Sequence, residues 1–381
     1  PGILTQDPED SDPAWFLTAF TKRKGGPEVL AEQLRSAKLN TQMAARIRQH
    51  LIETGETNQA LIDVFGGGVM QDSLEAQLLK ENVLDLASEA REQGDAARGE
   101  LIFRRAELAC MKCHSISNAG PVLGPDLAAI GSSSPPDYIV DSFLRPSKVI
   151  KEFYESIMVV TDEGRVINGI LVVQDDSKVV LKDAAQQGKQ VTILADQIEF
   201  TKKLPSLMPQ GLASKLKSRQ EFLDLVKFVT ELGRPGPYAT STAQVVRRWR
   251  LQGADVAMTA ENSAQIKTLA DSGVAAYSMV NGTLPAADLN LQKPVTRAMA
   301  LVDVTQAGNV QLKLNSAKGV KLWLNETSVP LAEMTTLVLP SGRSQITFEI
   351  DRDARGDTGL RAEFLKAEQQ PQGRFKVVGG P

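Results

Sequence analysis

The stretch Cys110-Met111-Lys112-Cys113-His114 is the sequence feature that most constrains this chain. Cys-x-x-Cys-His is the attachment pattern of a c-type haem. The two thiols form thioethers with the vinyl groups of the porphyrin, and the adjacent imidazole reaches the iron from the same short turn. The motif therefore predicts one covalently bound haem c, held through Cys110 and Cys113, with His114 as an iron ligand.

The small number of cysteine and histidine residues argues against other uses of this motif. The chain has 2 Cys and 2 His, and the motif takes both cysteines and one histidine. A structural zinc site needs about four nitrogen or sulfur ligands, and only His50 remains. A thioredoxin-like redox pair lies beside a βαβ pattern, whereas residues 97–109 have a helical pattern. Haem attachment is the interpretation that fits the composition.

The bulk composition bounds the class of protein and its partners. A length of 381 residues predicts two to four domains, and 42% hydrophobic with 23% charged residues is typical of a soluble globular protein. A net charge of −3 gives no reason to expect a nucleic acid or membrane-surface partner. No apolar run approaches the length of a membrane span. The chain begins with Pro1 rather than Met, so we expect that a start was removed or never included. Because bacteria attach haem c outside the cytoplasm, we expect a periplasmic or otherwise exported protein.

Changes in hydrophobic period predict a multidomain α+β chain. Residues 1–94 have apolar positions at helical spacing and are predicted to form a solenoid-like helical domain. Residues 95–238 are predicted to form a cytochrome c domain, which ends at the breaker Arg234-Pro235-Gly236-Pro237. Alternating apolar residues in 239–381 predict a C-terminal β-sandwich.

Within the cytochrome segment, the period changes from 3.6 to 2 between residues 152 and 203. Five short strand-like runs in this stretch predict a small closed β-barrel, since an open sheet of this size would leave edges unpaired. We expect this insertion to fold by itself, without lining most of the haem pocket. A self-folding insertion with neighbouring ends costs little loop-closure entropy.

Met208 is the methionine best placed to be a second iron ligand. A thioether is a soft, neutral ligand that suits an electron-transfer haem and raises its reduction potential. The chain has 9 Met, but Met111 lies inside the attachment turn and Met158 in a predicted strand. Met208 lies in a proline-flanked loop just before a strong helical pattern. In the alternative, Met208 is a core residue and the sixth coordination position of the iron is open.

Four motifs together give a more specific resemblance, over about residues 92–238. They are Gly99-x-x-x-Phe103, Cys110-x-x-Cys113-His114, Gly124-Pro125-Asp126-Leu127 and Ser206-Leu207-Met208-Pro209. With them the chain resembles a class I cytochrome c, and in particular the haem-binding domain family of planctomycetes and verrucomicrobia. Members of that family carry a long insertion before the methionine ligand.

The resemblance implies a set of roles for individual residues. His114 and Met208 would be the two axial ligands, and the carbonyl of Pro125 would accept the imidazole N–H and so orient the ring. Gly99 would allow a close crossing of two helices, with Leu225 and Phe228 on the other helix.

These residues predict an electron-transfer protein rather than an enzyme, because both axial positions of the iron are assigned. Its partners would be a dehydrogenase that donates electrons and a protein that accepts them. Two alternatives stay open: a haem-bearing fragment of a dehydrogenase, and a binding protein whose sandwich recognises a glycan or a protein partner. Trp323 could then be a sugar-stacking surface, although a lone tryptophan on a strand is more often a core residue.

Overall fold

A computed structural model of the chain describes residues 14–35, 47, 50–51, 58–64, 73–117, 123–186, 188–259 and 272–378. The chain divides into two compact units. Unit 1 comprises residues 1–114 and 121–232, and unit 2 comprises residues 115–120 and 233–381. In the described ranges, no helix combines the length and apolar character needed to cross a membrane.

The first helices of unit 1 share a small apolar core of their own. They are α1 (Ala14–Thr21), α2 (Gly26–Arg35) and α3 (Gln59–Val64). In α2, Leu30 and Leu34 are buried at a spacing of four residues, which places both on one face of the helix. Leu17 and Leu61 are fully buried in the same cluster. Part of the predicted helical segment 1–94 lies outside the described residues.

The later helices of unit 1 include the short turn that carries the Cys-x-x-Cys-His motif. In chain order they include α4 (Leu74–Leu78), α5 (Val83–Gln93), α6 (Ala96–Phe103), α7 (Cys110–Cys113), α8 (Ile130–Ser133), α9 (Pro136–Leu144) and α10 (Arg219–Glu231). Side-chain caps from Ser73, Asn82, Asp95 and Ser218 begin four of them. Helix α10 packs against α6 and α5, and α9 also packs against α5.

The crossing of α6 and α10 depends on a glycine. A Cβ atom at Gly99 would lie 2.0 Å from the carbonyl oxygen of Asp224 and 2.6 Å from the Cβ of Phe228. The Phe103 and Phe228 rings pack beside this contact, with centroids 5.7 Å apart. The close approach implied by the resemblance is therefore present, although the backbone contact is at Asp224 rather than Leu225.

The described strands of residues 156–203 form an antiparallel sheet in the order β4-β3-β2-β1-β5. The strands are β1 (Ser156–Thr161), β2 (Val166–Gln174), β3 (Lys178–Asp183), β4 (Lys189–Leu194) and β5 (Ile198–Lys203). The register pairs Val159 with Ile167, and these residues join Val179, Leu181 and Ile193 in one apolar core. Strands β4 and β5 lie at opposite ends of this order, so the sheet is open.

In its described residues, unit 2 contains two antiparallel sheets. One sheet has the order β13-β10-β15-β6, and the other β12-β11-β14-β9-β7-β8 with β16 also paired to β9. The strands are β6 (Gln244–Val245), β7 (Arg248–Ala254), β8 (Val274–Tyr277), β9 (Val295–Gln306), β10 (Gly308–Leu314), β11 (Val320–Leu324), β12 (Thr327–Val329), β13 (Met334–Leu339), β14 (Gly342–Asp351), β15 (Ala362–Lys366) and β16 (Arg374–Val377). Val310 and Phe364 of the first sheet share one core with Trp249 and Phe348 of the second.

The fold class predicted from the sequence is wrong. Unit 1 is a mixture of helices and an antiparallel sheet, instead of a class I cytochrome c domain that carries a separate closed barrel. The sheet stays open because β4 and β5 each end the strand order. In the described residues the predicted N-terminal solenoid is also not found, because α1–α3 form their own cluster while α5 packs on α9 and α10. The chain combines helices with several antiparallel sheets.

Candidate functional site

A cavity in unit 1 brings together residues that the sequence analysis selected. Cys110, Cys113, His114, Pro125 and Met208 all line it. The rest of the wall is mainly apolar, with contributions from α6, α9, α10 and the five-stranded sheet. The cavity has a volume of about 180 Å³. This is the space that the centre of a water molecule can occupy. A single water needs roughly 10–15 Å³ on this measure, so the cavity has room for a bulky apolar group.

The attachment motif forms one short helical turn. Ala109 has a φ of 56° and turns the chain out of the 3₁₀ turn Ala106–Leu108 into α7. The His114 N–H donates to the carbonyl of Cys110 at 2.9 Å, which closes the turn and ends the helix. Both thiols are free and half-buried. The two cysteines and the histidine thus lie within one turn on the cavity wall.

Burial keeps both cysteine side chains protonated at neutral pH. It raises the pKa of the Cys110 thiol to about 12 and that of the Cys113 thiol to about 11. A free cysteine ionises at about 8.5, so these thiols are not poised as the thiolates that metal binding or nucleophilic attack would need. Addition of a neutral S–H across a vinyl group is compatible with this state.

The His114 ring is oriented by a backbone carbonyl. Its Nδ1 lies 3.0 Å from the carbonyl oxygen of Pro125. Because a carbonyl can only accept, Nδ1 carries the proton and Nε2 keeps its lone pair. Burial lowers the pKa of His114, while the Pro125 bond and Asp126 act in the opposite direction. A neutral imidazole with a free Nε2 is the form in which histidine binds a metal.

Gly124 packs closely beside this ring, a role that the sequence analysis did not assign. A Cβ atom at position 124 would lie 3.0 Å from both Cε1 and Nδ1 of His114 and 3.2 Å from the carbonyl oxygen of Cys113. The Gly124 N–H also donates to that carbonyl at 2.7 Å. The glycine in the Gly-Pro-Asp-Leu stretch was the available signal, because it precedes the residue that accepts from the histidine.

Met208 lies in a short loop that side chains and backbone hold together. We call residues 206–213 the methionine loop. The Met208 N–H donates to Ser206 Oγ at 3.1 Å, and the Ser206 N–H donates to Ser147 Oγ at 3.2 Å. Leu207, Pro209 and Leu212 line the cavity together with Met208. The Cys-x-x-Cys-His motif and the Met208 thioether, which are far apart in the sequence, therefore line the same cavity.

The five-stranded sheet contributes wall residues that sequence reasoning missed. Ile170 of β2 lines the cavity and is 4% exposed. It belongs to an apolar cluster with Leu123 and Ala184, against which Cys113 and Leu207 pack. Tyr154 also lines the cavity, and the Lys182 ammonium lies 6.0 Å from the centre of its ring. Strand periodicity shows which residues of β2 lie on the same face. It does not show that the face with Ile170 packs near Cys113.

Comparisons with known proteins identify no family for this chain. No family model and no curated protein matches it. Among solved structures, part of the chain is similar to a β-glucosidase from Kluyveromyces marxianus in complex with glucose. That match has 12% sequence identity and a TM-score of 0.22, and it covers 32% of this chain and 16% of that chain. At this TM-score the likeness carries no argument, and no comparison identifies a class I cytochrome c.

Proposed function

We propose that this chain is a c-type haem protein that transfers single electrons. The observation that carries the proposal is the cavity itself, in which both thiols, the imidazole of His114 and the thioether of Met208 line one mainly apolar space. These groups are close in the fold although the methionine is far from the motif in sequence. An unrelated Cys-x-x-Cys-His sequence would have no reason to meet such a cavity.

The residues present fit a covalently attached haem. Cys110 and Cys113 would form the two thioether bonds, and His114 Nε2 and Met208 Sδ would ligate the iron. Neutral thiols, a neutral imidazole oriented by Pro125 and a soft thioether are the donor set that such a group takes. When bound, the haem supplies a one-electron couple between its ferric and ferrous states.

The chain's own residues tune this couple rather than perform a reaction. The Pro125 carbonyl fixes the His114 ring and increases its basicity as a ligand. A methionine ligand raises the reduction potential relative to a second imidazole, and the apolar wall excludes water. Because the side chains of His114 and Met208 would both hold the iron, we propose that the chain turns over no substrate of its own.

The partners and the compartment follow from this chemistry as part of the proposal. A relatively high potential suits a carrier that accepts electrons from a dehydrogenase and passes them to another acceptor protein. Because bacteria attach haem c outside the cytoplasm, the protein would be periplasmic or otherwise exported. Trp323 is only 4% exposed, so it offers no sugar-stacking surface for the glycan-binding alternative.

The proposal is tested with holoprotein made alongside the haem-attachment machinery. Stopped-flow mixing with small redox dyes should show rapid exchange of one electron per chain. The reduced spectrum should not change when carbon monoxide is added, because Met208 occupies the position that the gas would take. Peroxidase and sugar-dehydrogenase assays serve as controls. Sustained turnover that disappears in a His114→Ala variant would make the chain an enzyme and overturn the carrier function.

A further inference from the structure

Glu75 is a fully buried carboxylate whose partners lie in the methionine loop. Its side chain is 0% exposed, on helix α4. Oε1 accepts from the N–H of Gly211 at 3.0 Å, and Oε2 accepts from the N–H of Ala213 at 3.1 Å. A carboxylate buried without partners is very costly, so these two backbone bonds tie the loop and α4 to each other.

The two bonds act at the point where the loop changes direction. Gly211 has a φ of 95°, in the left-handed region that favours glycine, and it precedes the 3₁₀ turn Leu212–Lys215. Leu212, between the two bonded amides, lines the cavity together with Met208. Holding residues 211 and 213 therefore fixes the exit of the loop, three residues after the methionine. Its entrance is held separately by Ser147.

Glu75 is itself held on the rigid helices of unit 1. Arg219 of α10 bonds both Glu81 and Glu89, with nitrogen-to-oxygen distances of 2.6 and 2.7 Å. Arg145, just after α9, donates to the carbonyl of Leu79 at 3.1 Å. Residues 75–89 are thereby fastened to the helices that line the cavity. The segment that carries Glu75 is therefore anchored by bonds that do not involve the methionine loop.

The electrostatics of Glu75 agree with this arrangement. Burial raises its pKa, and the groups that oppose the rise are the backbone N–H groups of Gly211, Ala213 and Ser214. Backbone amides at the end of the loop, and that of the next residue, are therefore what stabilises the charged carboxylate. The charge of Glu75 and the conformation of the loop depend on each other.

We propose that Glu75 is the positioning residue for Met208: by holding the exit of the methionine loop, it keeps the thioether in place as a ligand. This inference rests on the proposed haem function. The segment that carries Glu75 lies before residue 95, so the predicted boundary of the haem domain excludes it. The functional unit consequently begins at least as early as α4.

The test compares Glu75→Gln holoprotein with the wild type and with Met208→Ala. Glutamine is isosteric, but it has one good acceptor oxygen where two are used. We expect covalent haem to be retained, the weak long-wavelength band of methionine-ligated ferric haem to fade, and imidazole to bind the ferric protein at least tenfold more tightly. Imidazole binds only when the methionine is displaced, so its apparent affinity rises with the displaced fraction. Met208→Ala should show both effects fully.

Asp224→Asn is the matched control for loss of a buried carboxylate. Asp224 is 2% exposed and accepts from the backbone N–H of Asp95 at 2.8 Å. Its other partners are the side chains of Arg98 on α6 and Gln220 on its own helix, so none of these bonds involves the methionine loop. On heating Asp224→Asn, the long-wavelength band and the helical circular dichroism should be lost together. In Glu75→Gln, the band should disappear at a lower temperature than the helical signal. A purely structural role for Glu75 would move the two transitions together.

The outcomes separate this inference from the function on which it rests. Wild-type band and imidazole affinity in Glu75→Gln, with both changed in Met208→Ala, would overturn the positioning role and leave the haem function standing. No covalent haem in the wild type, or no change in Met208→Ala, would overturn the function or its methionine ligand. If Glu75→Gln does not mature, Glu75→Asp is measured, since it keeps the charge but shortens the reach. An unaltered band and imidazole affinity in that variant would also overturn the proposal.

Discussion

Gly124 and His114 illustrate how the site depends on contacts of single atoms. The histidine ring is fixed on one edge by the Pro125 carbonyl and approached closely by the Gly124 backbone. Both contacts are made by backbone atoms, so both depend on the path of the chain after the motif. The residue after the glycine supplies the acceptor, so a change at position 124 acts on the histidine directly.

Gly124→Ala should disturb the histidine ligand. The added Cβ would lie 3.0 Å from two atoms of the imidazole, so the ring must shift by a few tenths of an ångström. We expect covalent haem to be kept, the reduction potential to change, and the free energy of unfolding to fall by about 1–3 kcal/mol. Redox titration and urea unfolding measure these effects. Pro125→Ala is the control, because it keeps the accepting carbonyl and should leave the potential closer to that of the wild type. A wild-type potential and stability in Gly124→Ala would contradict the close approach.

At the scale of elements, helix α10 is tied to the chain that leads into the motif. Arg105 and Glu221 form a two-pronged ion pair with nitrogen-to-oxygen distances of 3.0 and 2.7 Å, and both side chains are about four-fifths buried. Burial raises the pKa of Glu221, but the bonds from Arg105 and from the Lys217 N–H lower it further, so the net shift is downward. The pair fixes the approach to the 3₁₀ turn before Cys110.

The Glu221 pair should make stability depend on pH in the acid range. A carboxyl whose pKa is lowered by folding stabilises the protein above its unfolded pKa, about 4.3. That contribution is lost as the pH falls through the lower pKa that Glu221 has in the folded protein.

Glu221→Gln should therefore lower the free energy of unfolding by about 1–3 kcal/mol at pH 7, and the difference from wild type should shrink below pH 4. Urea unfolding at several pH values measures it. Glu231→Gln, which removes a partly exposed i,i+4 pair with Lys227, should cost under about 0.5 kcal/mol. A Glu221→Gln loss that stays constant down to pH 2 would contradict this assignment.

The five-stranded sheet lines the cavity through Ile170 of β2, which gives the sheet a testable effect on the proposed haem. Ile170→Ala should cost about 2–4 kcal/mol and lower the reduction potential, because water would reach the site more easily. Val179→Ala is the control: Val179 is 2% exposed in the same sheet but lies in its own core. It should reduce stability without altering the potential. Equal potentials in both variants would show that the sheet does not shield the site.

At the scale of the whole molecule, local patterns were predictable and their arrangement was not. The attachment turn follows from five adjacent residues, and the strands of residues 156–203 follow from alternation that β1 to β5 contain. Whether a sheet closes depends on pairing between its first and last strands, which alternation does not encode. The predicted barrel and the predicted solenoid failed for that reason, since both are statements about long-range contacts.

The candidate site shows the same division. Cys110, Cys113 and His114 could be found from spacing alone, and Met208 from its loop and the chemistry of a thioether. Glu75 and Ile170 could not, because a buried glutamate in a short helix and an isoleucine in a strand have no local signature of the cavity. The predicted domain limits at residues 94, 238, 152 and 203 stay predictions, as do the redox partners and any glycan or protein partner of unit 2.

The mass of the denatured protein, made together with the haem-attachment machinery, tests the central claim most directly. We predict one added haem per chain, retained after unfolding and after acid extraction, and absent when Cys110 and Cys113 are both replaced by alanine. The same sample should show the methionine-ligated spectrum before unfolding. The apo mass, or an intact disulfide between Cys110 and Cys113, would contradict the account.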